Sequence, residues 1–206
     1  MSASDALDRL REGNRRFASG VRSIETIMSS TRLRDLVNGQ APFAVVLGCS
    51  DSRVPVEMVF DHGLGDLFVI RVAGNIVAPS QIGSVEFAAE QFGTRLVVVL
   101  GHTQCGAIQA TVEALGRNAN AASGHVNSIV ERIRPSVQGL LATELARDPA
   151  ALARHAVRAN VRASANQLRH GSDVLERMIR KDGLLVVGAE YALETGVVTF
   201  FDGAPG

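Results

Sequence analysis

Two apolar runs of the same design place the strongest constraint on how this chain can fold. Residues 43–48 (Phe-Ala-Val-Val-Leu-Gly) lead into Cys49, and residues 96–101 (Leu-Val-Val-Val-Leu-Gly) lead into His102, with Cys105 shortly after it. Uninterrupted apolar runs of this length are typical of strands that are buried on both faces of a sheet. If the two strands are parallel, their ends meet at one edge, where open α/β sheets bind ligands. The sequence therefore predicts that the two cysteines and the histidine converge.

Strand and helix patterns alternate along the rest of the chain, which predicts a single α/β domain over residues 1–206. Further strands are expected at residues 67–73, 184–188 and 196–201. The first two of these join the opening pair in a mostly parallel central sheet of four strands, and the third forms an antiparallel strand at its edge. Helices that flank the sheet are predicted at residues 4–20, 30–37, 80–92 and 126–147, the last with a break at Pro135. Another is expected after Cys105, through residue 115. Two more begin at side-chain caps: one at Pro149 after Asp148, and one at Asp173 after Ser172, which ends at Gly183.

The first helix carries a thin apolar stripe. Leu7, Leu10 and Phe17 recur at helical spacing, and the rest of the helix is largely polar. A stripe this narrow suits a helix that packs on a partner subunit, although an ordinary surface helix would show the same pattern. We therefore expect the N-terminal helix to contact a second subunit.

Charge and composition exclude several classes of protein. The chain has 21 basic and 21 acidic residues, spread along its length, which argues against a nucleic-acid partner. No apolar run approaches the roughly 18 residues that a membrane span needs, and no apolar targeting segment follows Met1, so a cytoplasmic protein is expected. In a reducing compartment, two cysteines at strand ends beside a histidine indicate a metal site rather than a disulfide.

Cys49, His102 and Cys105 would supply two thiolates and one imidazole, which are good zinc ligands. Three protein ligands with a fourth position left open are typical of a catalytic zinc site. Two other interpretations remain: an inert pair of buried cysteines, and a closed structural site with Asp51 as the fourth ligand. A zinc ribbon is excluded, because it would need a second Cys-x-x-Cys pair.

Residues 49–54 (Cys-Ser-Asp-Ser-Arg-Val) and 102–106 (His-Thr-Gln-Cys-Gly) resemble the paired signatures of the β-class carbonic anhydrases. Residues 61–75 resemble the segment that links these signatures in the family. The resemblance implies one Zn²⁺ per chain, held by Cys49, His102 and Cys105. It also implies that Asp51 and Arg53 form a catalytic dyad.

The same resemblance implies further roles around the substrate. Gln40, Phe68 and Gly106 match positions that face the substrate, and in the family the glutamine comes from a neighbouring subunit. A homodimer, or a homotetramer built from dimers, is therefore expected. One departure is Phe87, which stands where the family usually has tyrosine. His62 is our candidate for the proton shuttle, because histidine titrates near neutral pH and this one lies on the segment linking the signatures.

The implied reaction is the reversible hydration of CO₂ to bicarbonate and a proton, by attack of zinc-bound hydroxide on the carbon. Two thiolates cancel the charge of the metal, so its water should be less acidic than in a histidine-only site and activity should favour alkaline pH. Asp51 would orient the hydroxide, and Arg53 would keep Asp51 away from the metal. The alternatives are a carbon disulfide or carbonyl sulfide hydrolase and a non-catalytic zinc- or bicarbonate-binding protein.

Overall fold

The computed structural model describes residues 1–21, 30–116 and 123–205, and its centre is a five-stranded sheet. The sheet order is β2-β1-β3-β4-β5; β1 to β4 run parallel, and β5 lies antiparallel at the edge. The strands are β1 (Ala44–Gly48), β2 (Leu67–Arg71), β3 (Leu96–His102), β4 (Leu185–Tyr191) and β5 (Val198–Asp202). The predicted α/β fold, with four parallel strands and one antiparallel edge strand, is confirmed.

Helices cover both faces of the sheet, and two of them begin at the predicted caps. The Asp148 side chain accepts hydrogen bonds from the first turn of α7, and Ser172 caps α8 in the same way. The described part of the chain contains no helix long and apolar enough to cross a membrane. The helices are α1 (Ala3–Ala18), α2 (Ser30–Leu36), α3 (Val56–Val59), α4 (Pro79–Gln91), α5 (Gly106–Gly116), α6 (Gly124–Val137), α7 (Pro149–His170) and α8 (Asp173–Lys181).

The two central strands are buried throughout, which explains why their sequences do not alternate. Every residue of β1 and β3 is buried. On one face, Val46 and Val98 belong to a cluster that includes apolar residues of α1. On the other face, Val45 and Val97 pack with residues of α4, α7 and α8. This double cover is the reason that apolar residues are required at consecutive positions.

The predicted break at Pro135 was wrong. Helix α6 continues through Pro135 to Val137, and two short 3-10 segments, 138–142 and 144–147, then lead to α7. Proline removes one backbone hydrogen bond near the end of the helix. Ile133 and Val137 are both fully buried on either side of it, so packing of the last turn outweighs that loss.

The apolar stripe of α1 faces the sheet of its own chain, so this stripe is not a surface on which α1 could pack against a partner subunit. Leu7 and Leu10 are fully buried in the core. Asn14 is buried behind them; its amide donates to two backbone carbonyl groups, and its Oδ1 accepts from the Val198 N–H at 2.8 Å. A buried amide needs such partners, and these bonds hold Asn14 between α1 and the segments at Val59 and Val198.

We expect Leu10→Ala to lower the free energy of unfolding by about 2–5 kcal/mol, because the cavity that it leaves is closed on all sides. Urea denaturation followed by circular dichroism would measure the change. Glu12→Ala, on the exposed side of the same helix, is the control and should change stability by less than about 0.5 kcal/mol. Equal effects of the two substitutions would contradict the packing of α1 described above.

Candidate metal centre

The parallel register of β1 and β3 brings the two cysteines and the histidine together. Gly48 of β1 lies opposite Leu100 of β3, so Cys49 and His102 leave the sheet at the same edge. The ligand atoms of Cys49, His102 and Cys105 all lie within 4.8 Å of one another, and all three residues are buried. The two Sγ atoms are 4.0 Å apart, which excludes a disulfide. The predicted convergence is confirmed.

The histidine of this cluster presents one ring nitrogen to the cysteines. His102 Nδ1 lies 2.8 Å from the carbonyl oxygen of Thr103, and since a carbonyl can only accept, Nδ1 carries the proton. Nε2 is buried and has no hydrogen-bond partner among the described residues. An orphaned buried nitrogen is costly, and a metal ion between the three residues would satisfy it. Two sulfur atoms and one imidazole nitrogen form a donor set that fits zinc.

The two thiols do not ionise alike. The contact with Cys105 lowers the pKa of Cys49, and the same contact raises the pKa of Cys105, since only one of the two sulfurs readily becomes a thiolate. The backbone N–H of Gly74 adds a hydrogen bond to Cys49 Sγ at 3.3 Å. A divalent cation would offset the charge of a second thiolate, so the pair is suited to a metal.

A turn behind Cys49 supplies that N–H group. Gly74 has a φ of 70°, in the left-handed region, and a Cβ there would lie 2.9 Å from the Ile133 side chain. Its carbonyl accepts from the Asn160 side chain of α7 at 2.8 Å, and Ser164 donates to the next carbonyl, that of Asn75. Sequence reasoning missed both α7 residues, since nothing local connects them to partners that lie 86 and 89 residues away.

Asp51 and Arg53 form the pair that the sequence predicted. Arg53 Nε donates to Asp51 Oδ1 at 2.9 Å and Nη2 donates to Oδ2 at 2.8 Å, the two parallel bonds of a guanidinium fork. The side-chain hydrogen bond from Arg53 holds the pKa of Asp51 below its usual range. Asp51 Oδ2 is 3.9 Å from His102 Nε2, so the carboxylate borders the cluster.

Comparison with known proteins identifies the family to which this chain belongs. A family model described as carbonic anhydrase matches residues 44–198. Carbonic anhydrase 2 of Mycobacterium tuberculosis is 37% identical over 187 residues, which cover 91% of this chain and 87% of that protein. The chain belongs to the β-carbonic anhydrase family.

Solved β-carbonic anhydrases share the fold. The enzyme CafA of Aspergillus fumigatus has a TM-score of 0.74 and 27% identity, covering 98% of this chain and 92% of its own. A structure from a study of two tetrameric β-carbonic anhydrases of Sordaria macrospora has a TM-score of 0.73 and 25% identity, covering 82% of this chain and 85% of its own. These likenesses extend over most of the sheet and helices described above.

The three residues that match substrate-facing positions of the family do not all lie near the cluster. Gly106 follows Cys105 directly, is exposed, and has open space where a Cβ would be. Gln40 is exposed ahead of the amino end of β1, and Phe68 packs on Phe87 and Phe92 near the amino end of β2. The cluster lies at the carboxyl end of these strands. Within one chain, the structure therefore brings Gly106 to the cluster, but not Gln40 or Phe68.

The structure also places His62 away from the cluster. Its ring packs edge-on against Phe43, with ring centroids 4.8 Å apart, and it is buried. Phe43 precedes β1, about 20 Å along the strand from Cys49 at the usual rise per residue. Burial lowers the pKa of His62 and separates it from solvent. This position argues against the proton shuttle that we predicted at His62, because a shuttle must reach both the reacting water and the buffer.

We expect Arg53→Ala to raise the pKa of Asp51 toward its ordinary value, because the fork that favours the carboxylate is lost. The ¹³C chemical shift of the Asp51 carboxyl carbon, followed over pH, would measure this pKa. Arg147→Ala is the control: it removes an exposed arginine that pairs with Glu144, and it should leave the titration of Asp51 unchanged. An unchanged Asp51 titration in Arg53→Ala would mean that the fork does not set this pKa.

Proposed function

We propose that this protein catalyses the reversible hydration of carbon dioxide to bicarbonate and a proton. The observation that carries the proposal is a buried cluster of three metal-ligand atoms bordered by a carboxylate that an arginine holds. Membership of the β-carbonic anhydrase family and the named relatives support carbonic anhydrase activity.

Cys49, His102 and Cys105 would hold one Zn²⁺ per chain, with His102 binding through Nε2. When bound, zinc would acidify a coordinated water, though less strongly than in a histidine-only site, because two of the three ligands are thiolates. Hydrogen bonds within the chain orient two of these ligands before any metal binds. The Thr103 carbonyl fixes the tautomer of His102, and the Gly74 N–H donates to Cys49 Sγ. Groups that orient metal ligands in this way also tune the metal.

Asp51 is the residue that orients the attacking oxygen. Its carboxylate can accept a hydrogen bond from that oxygen, so that a lone pair points at the carbon of CO₂. Because Arg53 favours the charged form, Asp51 acts as a hydrogen-bond acceptor rather than as a strong base. Arg53 also restrains the carboxylate, which would otherwise be free to move onto the metal.

A second arginine keeps the Asp51 backbone in place. Arg71, the last residue of β2, donates through Nε to the Cys49 carbonyl at 3.0 Å and through Nη2 to the Asp51 carbonyl at 2.7 Å. The loop from Cys49 to Asp51 is thereby tied to the neighbouring strand. Beside Cys105, Gly106 adds no side chain and leaves space for a molecule as small as CO₂.

A second copy of the chain would complete the substrate side. Gln40 and Phe68 match substrate-facing positions of the family but lie away from the cluster of their own chain, and Gln40 is exposed. The solved relatives from Sordaria macrospora are tetrameric. We infer a dimer, or a tetramer of dimers, in which Gln40 of one chain serves the cluster of another.

The proposed ligands predict which substitutions remove the metal. Cys49→Ser, His102→Ala and Cys105→Ser should each lose zinc and CO₂ hydration, because two remaining ligands hold zinc poorly. Metal analysis by mass spectrometry and stopped-flow CO₂ hydration, with and without a strong chelator, would test this. Glu144→Ala, at an exposed surface pair, is the control and should keep both. Full zinc occupancy in one of these variants would show that the substituted residue is not a zinc ligand.

Assays of the wild-type protein for CO₂ hydration and for hydrogen sulfide release separate the other candidate reactions. Wild-type protein that contains zinc but hydrates no CO₂ would contradict the proposal. If it instead released hydrogen sulfide from carbon disulfide or carbonyl sulfide, the hydrolase would be the correct assignment. Protein with zinc and neither activity would be a binding protein.

Mixing two inactive variants would test the shared site. We expect Cys49→Ser and Gln40→Ala to be inactive or weakly active alone. Co-expressed, they should recover about a quarter of wild-type activity, because half of the dimers are mixed and one of the two sites in each is complete. Light scattering would establish the oligomer. No recovery in purified mixed dimers would mean that Gln40 does not serve the other subunit.

A further inference from the structure

The arginine that holds Asp51 is itself anchored by a strained turn. Arg53 Nη2 donates to the backbone carbonyl of Gln104 at 3.2 Å, in addition to its bonds with Asp51. Gln104 has a φ of 56°, in the left-handed region that a residue with a side chain rarely adopts. Such a conformation persists only where surrounding contacts enforce it. Contacts from neighbouring residues must therefore hold the turn at Thr103 and Gln104 in this conformation.

Glu194 makes those contacts from the turn between β4 and β5. Its Oε1 accepts from Gln104 Nε2 at 2.7 Å, and its Oε2 accepts from Thr103 Oγ1 at 2.9 Å. Thr103 Oγ1 also accepts from the Leu193 N–H at 3.0 Å. The pKa of Glu194 is lowered by its own backbone N–H and by these two side-chain donors, so the carboxylate is charged when it receives them. One exposed carboxylate thus fastens two consecutive residues of the turn.

Both fastened residues act on the candidate site through their backbone carbonyls. The Gln104 carbonyl receives Arg53, and the Thr103 carbonyl receives Nδ1 of His102. The turn therefore sets the position of the guanidinium that holds Asp51 and the orientation of the imidazole. Among the described hydrogen bonds, Glu194 is the one side chain that bonds to the side chains of both turn residues.

We infer that Glu194 is a positioning residue of this site, which keeps Arg53 on Asp51 by holding the turn at Thr103 and Gln104. Its kinetic consequence rests on the proposed function. Without Glu194, the Gln104 peptide can relax from its strained conformation and withdraw its carbonyl from Arg53. Asp51 is then held less firmly, so the rate of the chemical step falls. Glu194 bonds to Thr103 and Gln104 and to none of the residues matched to the substrate, so substrate binding should change little.

The kinetic test compares three variants. Glu194→Ala should lower kcat for CO₂ hydration by about tenfold with KM changed by less than about twofold. Glu194→Gln keeps one oxygen acceptor, and its kcat should lie between those of the alanine variant and the wild type. Glu113→Ala removes another exposed carboxylate, which bonds only to Gln109 among the described residues, and it should behave as wild type.

A second measurement does not depend on activity. Exchange of the Arg53 Nε–H with solvent, followed by ¹⁵N NMR and assigned with Arg53→Lys, should be faster in Glu194→Ala than in the wild type and Glu113→Ala. Faster exchange together with a lower kcat supports the inference. Unchanged exchange, or a kcat loss no larger than that of Glu113→Ala, overturns it. If the wild type hydrates no CO₂, the proposed function fails and the exchange measurement alone decides the role of Glu194.

Discussion

The parallel pairing of β1 with β3 is the contact on which the rest of the site depends. Residues Val45–Gly48 lie opposite Val97–Leu100, and this register sends Cys49 and His102 out of the sheet side by side. A slip of one residue would turn every side chain of the strand to the other face. The two faces pack against different sets of residues, so such a slip would disrupt both sets of contacts, and the core itself positions the candidate ligand atoms.

Around this edge, the backbone does most of the positioning. Gly74 gives an N–H group to Cys49, Arg71 ties down the loop that follows it, and the turn at Gln104 anchors Arg53. Two of these are in turn held by distant elements: α7 supports Gly74, and the turn between β4 and β5 supports Gln104. Several elements of the fold therefore hold the groups of the site in place, and catalysis by oriented groups depends on such positioning.

The proposed division of the site between two chains agrees with how one chain is built. Its cluster lies at the carboxyl end of the sheet, and its Gln40 and Phe68 lie toward the amino end. The apolar stripe of helix α1 cannot contact a partner, because it is buried against the sheet of its own chain. Gln40 and Phe87 are exposed, and in the proposed dimer surfaces of this kind, rather than the core side of α1, would meet the other chain.

The sequence by itself determined the strands, the capped helices, the sheet class and the chemical type of the cluster. These follow from local patterns: unbroken apolar runs, cap residues such as Asp148, and sulfur and imidazole ligands at strand ends. Only the tertiary structure decided that the apolar stripe of α1 packs on its own sheet and that His62 lies far from the cluster. It also decided that Asn160 and Glu194 bond to the turns beside the cluster. Asn160 meets Gly74 across 86 residues and Glu194 meets Gln104 across 90, and such contacts exist only once the sheet has assembled. Local periodicity carries no information about which distant side chain will fill a given space.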